Sequence, residues 1–354
     1  MHGAALVGSL IKNSQTINNQ IESDFINLSA SINLNEIGKF NLIKLYRIFL
    51  VQCIVFKKLL FTRYDLVYIT LTSTGLGFYK DALIVALAKL FRRKVVFHFH
   101  NKGVSKHKQN AINNFLYSFV FRNTNSILLS DFLYYDLAPY VDHSKIHICQ
   151  NGIVSYNHIQ KIGNLEKVNV CRILFLSNMM KEKGVLELLH ACVELKNRNL
   201  LFECHFAGNW MDITEEYFNE FVKMNDLSYH VFAHGKIIGA EKIKMFQQSD
   251  LFVFPTYYDC FPLALLEAMD FGLPIISTFE GGIQDIVIDN YNGLLIKQKD
   301  TKALIEKISL LISQPELRKK MGINGNRLFN EKFTLAKFEE NFSKIIADLV
   351  SIHE

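Results

Sequence analysis

Two acidic side chains, Asp259 and Glu267, lie eight residues apart in a segment that follows an apolar run. Asp259 lies in a polar loop, and Glu267 lies on a predicted helix that begins near Pro262 and that Gly272 ends. The two carboxylates can therefore converge on one ligand. Carboxylates accept hydrogen bonds from hydroxyl groups, so the segment predicts a site for a polyol such as a sugar. A solvated helix Glu and a turn-capping Asp are the alternative.

Two histidines, His98 and His100, lie at the end of another apolar run and share one face of a predicted strand. A histidine pair can bind a metal ion, yet the sequence shows no third ligand, so we assign no metal. A structural role and a role in ligand binding both remain open. Residues 73–77 follow a strand and open a helix, which is typical of an anion site and equally of an ordinary turn.

The elements that must hold these residues alternate between apolar strands and amphipathic helices. The predicted strands span 66–71, 95–100, 126–130 and 146–149, and then 173–176, 202–207, 231–234, 251–254, 275–278 and 294–296. Such alternation predicts parallel sheets with crossover helices. Because the series restarts, we predict an α/β protein of two Rossmann-like, doubly wound domains facing a central cleft. Their ligands are expected beyond the carboxyl ends of the strands.

The predicted domain boundaries follow from that restart. Residues 1–152 form the first domain, 153–170 a polar linker, 171–333 the second domain, and 334–354 a C-terminal helix that could pack back on the first domain. The first domain opens with a helical pattern and no apolar strand. Either its usual first strand is missing, or the chain begins downstream of the natural start.

The composition is that of a folded globular protein, with 49% hydrophobic and 21% charged residues. A formal net charge of +5 over 354 residues argues against a nucleic-acid binder held mainly by phosphate contacts. The six cysteines are scattered without paired spacing, so they predict neither a zinc site nor a disulfide framework. Free thiols favour a reducing cytoplasm.

A membrane contact is suggested by residues 41–63, although no apolar run there reaches the roughly 20 residues that a bilayer-spanning helix needs. The segment mixes large apolar side chains with five cations, which are Lys44, Arg47, Lys57, Lys58 and Arg63. That mixture is typical of a helix at a membrane surface. It is more commonly a domain helix with a solvated basic face.

The segment around the two acids resembles the signature of the retaining GT-B nucleotide-sugar glycosyltransferases of family 4 (group 1), in which seven residues separate two Glu. The matching residues are Asp259, Phe261, Pro262, Leu263, Leu266, Glu267, Ala268 and Met269. The resemblance continues through 272–276 and 281–293, and upstream through 173–178 and 181–184. It covers most of the chain and is most specific between residues 171 and 296.

The resemblance implies three catalytic residues, Lys183, Asp259 and His100. Lys183 matches the cation that holds the diphosphate, where it stabilises the negative charge of the leaving group. Asp259, one methylene shorter than the family's Glu, lies near the donor sugar. His100 matches a cleft histidine near the same sugar. Glu267 matches the residue that binds the ribose hydroxyls of the nucleotide.

The remaining donor-binding residues are also implied by the resemblance. They are Phe261, Pro262 and Leu263, the glycines Gly3, Gly281 and Gly282, and Asn178. Asn178 stands where the family has Arg, which removes one cation and shifts its task to Lys183 and to backbone amides near Gly281 and Gly282. Gly3 matches a Gly-rich loop that brings amides to the donor.

The activity implied is transfer of a hexose-type sugar from a UDP- or GDP-linked donor, with retention and without a metal or cofactor. The acceptor would be a glycan or polyprenyl-linked molecule, in the synthesis of capsule, O-antigen or exopolysaccharide at the cytoplasmic face of the membrane. Two alternatives stay open. One is a nucleotide-sugar epimerase or hydrolase, since a fold does not fix the reaction. The other is a non-catalytic donor-binding homologue, suggested by Asp259, Asn178 and the missing strand.

Overall fold

The chain divides into two units, each built on a parallel sheet. The computed structural model describes residues 3–28, 42–156 and 170–351. Unit 1 comprises residues 1–150 together with 339–354, and unit 2 comprises Asn151–Phe338. The prediction of two α/β units with parallel sheets is confirmed.

The described residues of unit 1 form four parallel strands that lie side by side in chain order. They are β1 (Leu66–Ile69), β2 (Lys94–His98), β3 (Asn125–Leu128) and β4 (Ile146–Ile148). The helices are α1 (Gly3–Asn13), α2 (Gln15–Asn18), α3 (Leu42–Phe61), α4 (Gly75–Leu90), α5 (Val104–His107), α6 (Ala111–Phe121) and most of α14 (Leu335–Ser351). The four strands predicted for this half are confirmed, with bounds that shift by one or two residues.

The C-terminal helix α14 packs on the sheet of unit 1. The ring of Phe342 lies 5.4 Å from that of Tyr68 and stacks on His98 at 6.4 Å. Lys94 Nζ donates to the carbonyl oxygens of Leu349 at 3.2 Å and Val350 at 3.1 Å. The last carbonyls of a helix have no intrahelical amide donor, so the lysine takes that place. The helix is therefore fixed to β2 by an aromatic cluster and by a cation at its carboxyl end.

In the part of unit 2 that the structure describes there are six parallel strands, all at the predicted places. They are β5 (Cys171–Leu176), β6 (Phe202–Ala207), β7 (Val231–Ala233), β8 (Leu251–Phe254), β9 (Ile275–Thr278) and β10 (Gly293–Ile296). The helices are α7 (Val185–Asn197), α8 (Glu215–Met224), α9 (Gly239–Gln248), α10 (Leu263–Asp270), α11 (Ile283–Ile286), α12 (Thr301–Ser313) and α13 (Pro315–Lys332). The four side chains of β8 are at most 1% exposed, as expected of a strand covered on both faces.

The strand order of unit 2 is β10-β9-β8-β5-β6-β7, so the direction of winding reverses between β5 and β8. At such a reversal the loops after the two central strands diverge and leave a crevice outside their carboxyl ends. The loop after β5 carries Asn178 and Lys183, and the loop after β8 carries Asp259. The described strands of unit 1 show no reversal, so the doubly wound pattern predicted for both units is seen in unit 2.

Helix α3 exposes an unusual number of apolar side chains. Only Val55 and Leu59 are buried among its described residues. Ten large apolar side chains are between 40% and 76% exposed, namely Leu42, Ile43, Leu45, Tyr46, Phe49, Leu50, Ile54, Phe56, Leu60 and Phe61. We call this set the apolar surface of α3. In the described part of the chain, no helix is both long enough and apolar enough to cross a bilayer.

Candidate functional site

The loops after β5 and β8 are joined tightly at the switch point of unit 2. The carbonyl oxygen of Glu182 accepts hydrogen bonds from Thr256 Oγ1 at 2.9 Å and from Tyr257 N at 3.0 Å. Gly184 has a φ of +81°, and a Cβ there would lie 2.3 Å from the carbonyl oxygen of Pro255. Only glycine fits so close an approach with a left-handed backbone. The two loops therefore form one support for the side chains they carry.

Lys183 and Asp259 form an ion pair on this support. Lys183 Nζ donates to Asp259 Oδ2 at 2.7 Å and to the carbonyl oxygen of Tyr258 at 2.9 Å. The two side chains are 19% and 20% exposed, so they are accessible without being freely solvated. Asp259 N donates in turn to Glu280 Oε1 at 3.3 Å. The cation predicted for the diphosphate and the acid predicted for the sugar are thus in contact.

Glu267 lies on α10 and is paired with Lys242 of α9. Lys242 Nζ donates to Glu267 Oε1 at 2.5 Å, and the side chains are 23% and 14% exposed. Sequence reasoning missed Lys242 because it follows no motif and is one of two lysines close together on α9. Only the packing of α9 beside α10 distinguishes it.

Glu280 is a second residue that the sequence did not single out. Its side chain is buried, with 6% exposure, and its carboxylate accepts hydrogen bonds from Asp259 N and Gln298 Nε2. Glu280 directly precedes the two glycines after β9, and a buried acid at such a loop is the signal that could have identified it.

The start of α10 contributes backbone groups. Phe261 is 4% exposed and its ring lies 6.0 Å from that of Phe333, so its side chain belongs to the core. Pro262 is the N-cap residue and makes no side-chain capping bond, and Leu263 is the first residue of the helix. The first amides of a helix have no intrahelical acceptor. A ligand contact in this stretch would therefore come from the amides, and the donor-binding role of these three residues stays a prediction.

Asn178 and the glycine pair offer little positive charge. Asn178 Oδ1 accepts from Asn209 Nδ2 at 3.1 Å, which orients a neutral amide where the resemblance has a cation. Gly282 N donates to the carbonyl oxygen of Cys260 at 2.8 Å. That amide is already engaged, so any contact between this turn and a phosphate would fall to Gly281, whose φ is +49°. The predicted roles of Asn178, Gly281 and Gly282 remain untested.

In unit 1, the two histidines lie side by side at the end of β2, as the sequence indicated. The strand β2 ends at His98, and His100 lies two residues beyond it, although the two rings are only 4.2 Å apart. Tyr68 Oη lies 2.7 Å from His98 Nδ1. Burial lowers the pKa of His100 to about 4, and burial with the neighbouring His100 lowers the pKa of His98 well below its usual value. Both imidazoles are therefore neutral near pH 7.

A neutral imidazole can still donate or accept a hydrogen bond. In both His98 and His100 the Nε2 atom is buried without a hydrogen-bond partner among the described residues. Across the same residues, no group of three His, Cys, Asp or Glu side chains could hold a metal ion. The role of His100 beside a donor sugar stays a prediction.

Gly3 is not in a loop. It is the first residue of α1, because residues 3–13 are rich in Ala and Leu and favour a helix. The preceding Met1 and His2 lie outside the described residues. The predicted Gly-rich loop is therefore wrong for Gly3 itself. Its donor-binding role stays a prediction.

Comparisons with known proteins bear on the family and the fold. Residues 158–328 match the family model described as "Glycosyl transferases group 1". The chain is 31% identical over 198 residues to an uncharacterised glycosyltransferase of Methanocaldococcus jannaschii, covering 56% of this chain and 54% of that protein. It is 33% identical over 95 residues to the capsular polysaccharide biosynthesis glycosyltransferase CapM of Staphylococcus aureus, covering 27% of this chain and 25% of that protein.

A solved structure supports the fold. The crystal structure of Anabaena HepE in complex with UDP superimposes with a TM-score of 0.70 at 17% identity, covering 84% of this chain and 82% of that one. The fold is therefore that of the GT-B proteins. The chain spans about half the length of the first curated relatives it matches, 54% and 56%.

Proposed function

We propose that this chain is a group 1 glycosyltransferase, the family whose model its residues 158–328 match, and that it transfers a sugar from a nucleotide-sugar donor to an acceptor. The observation that carries the proposal is a pair of ion pairs in unit 2. Lys183 and Asp259 pair on the loops at the switch point, and Glu267 pairs with Lys242 on the helices before and after β8. Two acids for hydroxyl groups and a cation for phosphate are the groups that a nucleotide sugar requires.

The chemistry assigned to each residue follows from its charge and position. When the bond from the anomeric carbon to the diphosphate oxygen breaks, negative charge grows on the diphosphate and positive charge on the sugar. Lys183, held by Asp259, supplies a fixed cation that stabilises the negative charge on the diphosphate. Asp259 supplies a nearby anion for the sugar, and Glu267 accepts hydrogen bonds from the ribose hydroxyls. We propose that the reaction retains the anomeric configuration and needs no metal.

The nature of donor and acceptor is proposed from the relatives. HepE was solved with UDP, which makes a UDP-linked hexose the first donor to test, with a GDP-linked one second. CapM is named for capsular polysaccharide biosynthesis, and we extend that role to this chain as synthesis of a bacterial surface polysaccharide on a glycan or polyprenyl-linked acceptor.

A nucleotide panel tests the proposal. UDP, GDP, ADP and CMP are added to the wild type, and thermal unfolding is recorded with each. One nucleoside diphosphate is expected to raise the melting temperature, because a ligand at a hundredfold excess over its Kd stabilises the folded state by about 2.7 kcal/mol. The matching sugar nucleotide should then be turned over only when acceptor is present, and EDTA should not reduce the rate.

Each alternative function gives a different result in that experiment. Conversion of the donor without any acceptor would indicate an epimerase or hydrolase. Binding with no turnover on any acceptor would indicate a non-catalytic homologue. If no nucleotide changed the melting temperature, the proposed donor site would be refuted.

We also propose that the apolar surface of α3 binds the cytoplasmic face of a membrane. The helix carries four cations, Lys44, Arg47, Lys57 and Lys58, and no acidic residue. Apolar contact area combined with positive charge is what an interfacial helix offers to anionic lipid. A polyprenyl-linked acceptor would lie in the same membrane.

Vesicle binding measures this contact. The double substitution Phe49→Gln and Leu60→Gln removes two side chains that are 64% and 52% exposed, so it should leave the fold intact. Binding to vesicles containing phosphatidylglycerol is expected to fall about tenfold or more, because each side chain contributes on the order of 1 kcal/mol of burial. The matched control is Leu201→Gln with Met224→Gln in unit 2, at 57% and 75% exposure. Equal binding by both double variants would refute the contact.

A further inference from the structure

We infer that Lys242 is a positioning residue of the nucleotide site, which acts through Glu267 on the ribose hydroxyls. This inference rests on the proposed function, because it assumes that Glu267 binds ribose. Neither the resemblance nor the relatives assign a role to this position, and the inference comes from the contact between α9 and α10.

The geometry gives the Glu267 carboxylate one fixed partner. Lys242 lies in the first turn of α9, the helix before β8, and Glu267 lies on α10, the helix after it. Lys242 Nζ bonds to Oε1 at 2.5 Å. In the part of the chain that the structure describes, Glu267 Oε2 accepts no hydrogen bond and Lys242 contacts no other acceptor. The second oxygen is thus open to a ligand while the first is held.

Burial makes this partner necessary. The Glu267 side chain is only 14% exposed, so water alone hydrates its charge poorly. A cation at one oxygen compensates for the lost hydration and fixes the direction of the other oxygen. Ribose presents two neighbouring hydroxyl donors, and a carboxylate whose orientation is already fixed binds them without a further ordering cost.

The arrangement also separates the tasks of the two lysines. Lys183 pairs with Asp259 and is assigned to the diphosphate, whereas Lys242 pairs with Glu267, which is assigned to the ribose. If Lys242 acts on ribose through Glu267, its removal should lower the affinity for UDP and for UMP, which lacks the second phosphate, by the same factor. Removal of a lysine that contacted phosphate directly would lower the affinity for UDP more than the affinity for UMP.

The test uses calorimetric binding of UDP, UMP and 2′,3′-dideoxy-UDP, with the GDP series in their place if GDP gives the larger thermal shift. The variants are Lys242→Met, Lys242→Arg and the matched control Lys244→Met, an exposed lysine on the same helix. Lys242→Met is expected to weaken UDP and UMP alike, by about ten- to a hundredfold, the range for a lost hydrogen bond to a charged group. Dideoxy-UDP should bind the wild type weakly, and its affinity for Lys242→Met should be no lower.

Two more readouts separate positioning from mere support of the fold. In turnover, Lys242→Met should raise KM for the donor and leave kcat within about threefold of the wild-type value. The reason is that the lost contact binds the donor equally in the ground state and in the transition state. Lys242→Arg should keep most of the affinity, because it retains the cation. The control Lys244→Met should match the wild type.

Three results would overturn the inference. They are normal UDP affinity in Lys242→Met, an equal loss of affinity for UDP and dideoxy-UDP, and a larger loss for UDP than for UMP. Each of these leaves the proposed function standing, since the wild type still binds nucleotide. Failure of the wild type to bind any nucleotide of either series would refute the proposed function, and the inference would fall with it.

Discussion

Replacement of Glu267 by alanine is expected to reduce nucleotide affinity by about a hundredfold or more, the largest loss of binding that we predict for a single side chain. The variant loses the acceptor proposed for the ribose hydroxyls. It also leaves Lys242, which is 23% exposed, with no counter-charge next to the ligand. Both effects act on the bound nucleotide before any chemistry occurs. Titration calorimetry with UDP and the loss of the nucleotide-induced thermal shift measure the effect.

The Glu267→Gln variant refines this prediction, because glutamine keeps the size of the side chain and one acceptor oxygen. Its affinity should fall between those of the wild type and Glu267→Ala. Glu220→Ala is the matched control, since Glu220 is an exposed acid on α8 of the same unit. If Glu267→Ala bound and turned over the donor like Glu220→Ala, the assignment of the donor site to α10 would be wrong.

Replacement of Lys183 by methionine is expected to lower kcat by about a hundred- to a thousandfold, the range found when a preorganised group that stabilises developing charge is removed. Lys183 is the only cation that we assign to the leaving diphosphate, since Asn178 stands where the resemblance has Arg. The loss should therefore appear mainly in kcat, because the charge on the leaving group is greatest in the transition state. Initial rates of transfer with saturating donor measure it.

The neighbouring Lys181 provides the control. It lies in the same turn, and its side chain is exposed, so Lys181→Met changes the net charge equally without removing a contact to Asp259. An unchanged kcat in Lys183→Met would show that the diphosphate is stabilised elsewhere. A rise in KM with constant kcat would likewise contradict a role in the transition state.

The strands and the local surroundings of the acids could be predicted from the sequence because their causes are local. Buried parallel strands appear as short apolar runs, and every predicted strand was found. Pro262 precedes α10, and Gly272, with a φ of +67°, follows its end, as the residue types indicated. The positions of Asp259 and Glu267 on a loop and the next helix follow from those two signals.

The contacts of those acids could not be predicted, because they depend on which helices lie side by side. Lys242 is 25 positions from Glu267 along the chain, and Lys183 is 76 positions from Asp259. Nothing near Lys242 distinguishes it from an exposed neighbour such as Lys244, and Lys183 was singled out only by its match to the family signature. The strand order of unit 2 brings these pairs together, and periodicity in a sequence does not encode strand order.

The packing of α14 on unit 1 has a consequence for the order in which the protein matures on the ribosome. Lys94 bonds to a carbonyl 255 positions later in the chain, and Phe342 covers β1 and β2 from the same helix. Until α14 has been synthesised, Tyr68 and His98 lack their contacts with Phe342, while the residues of unit 2 have already left the ribosomal active site. Unit 2 can thus complete its contacts before the N-terminal sheet does.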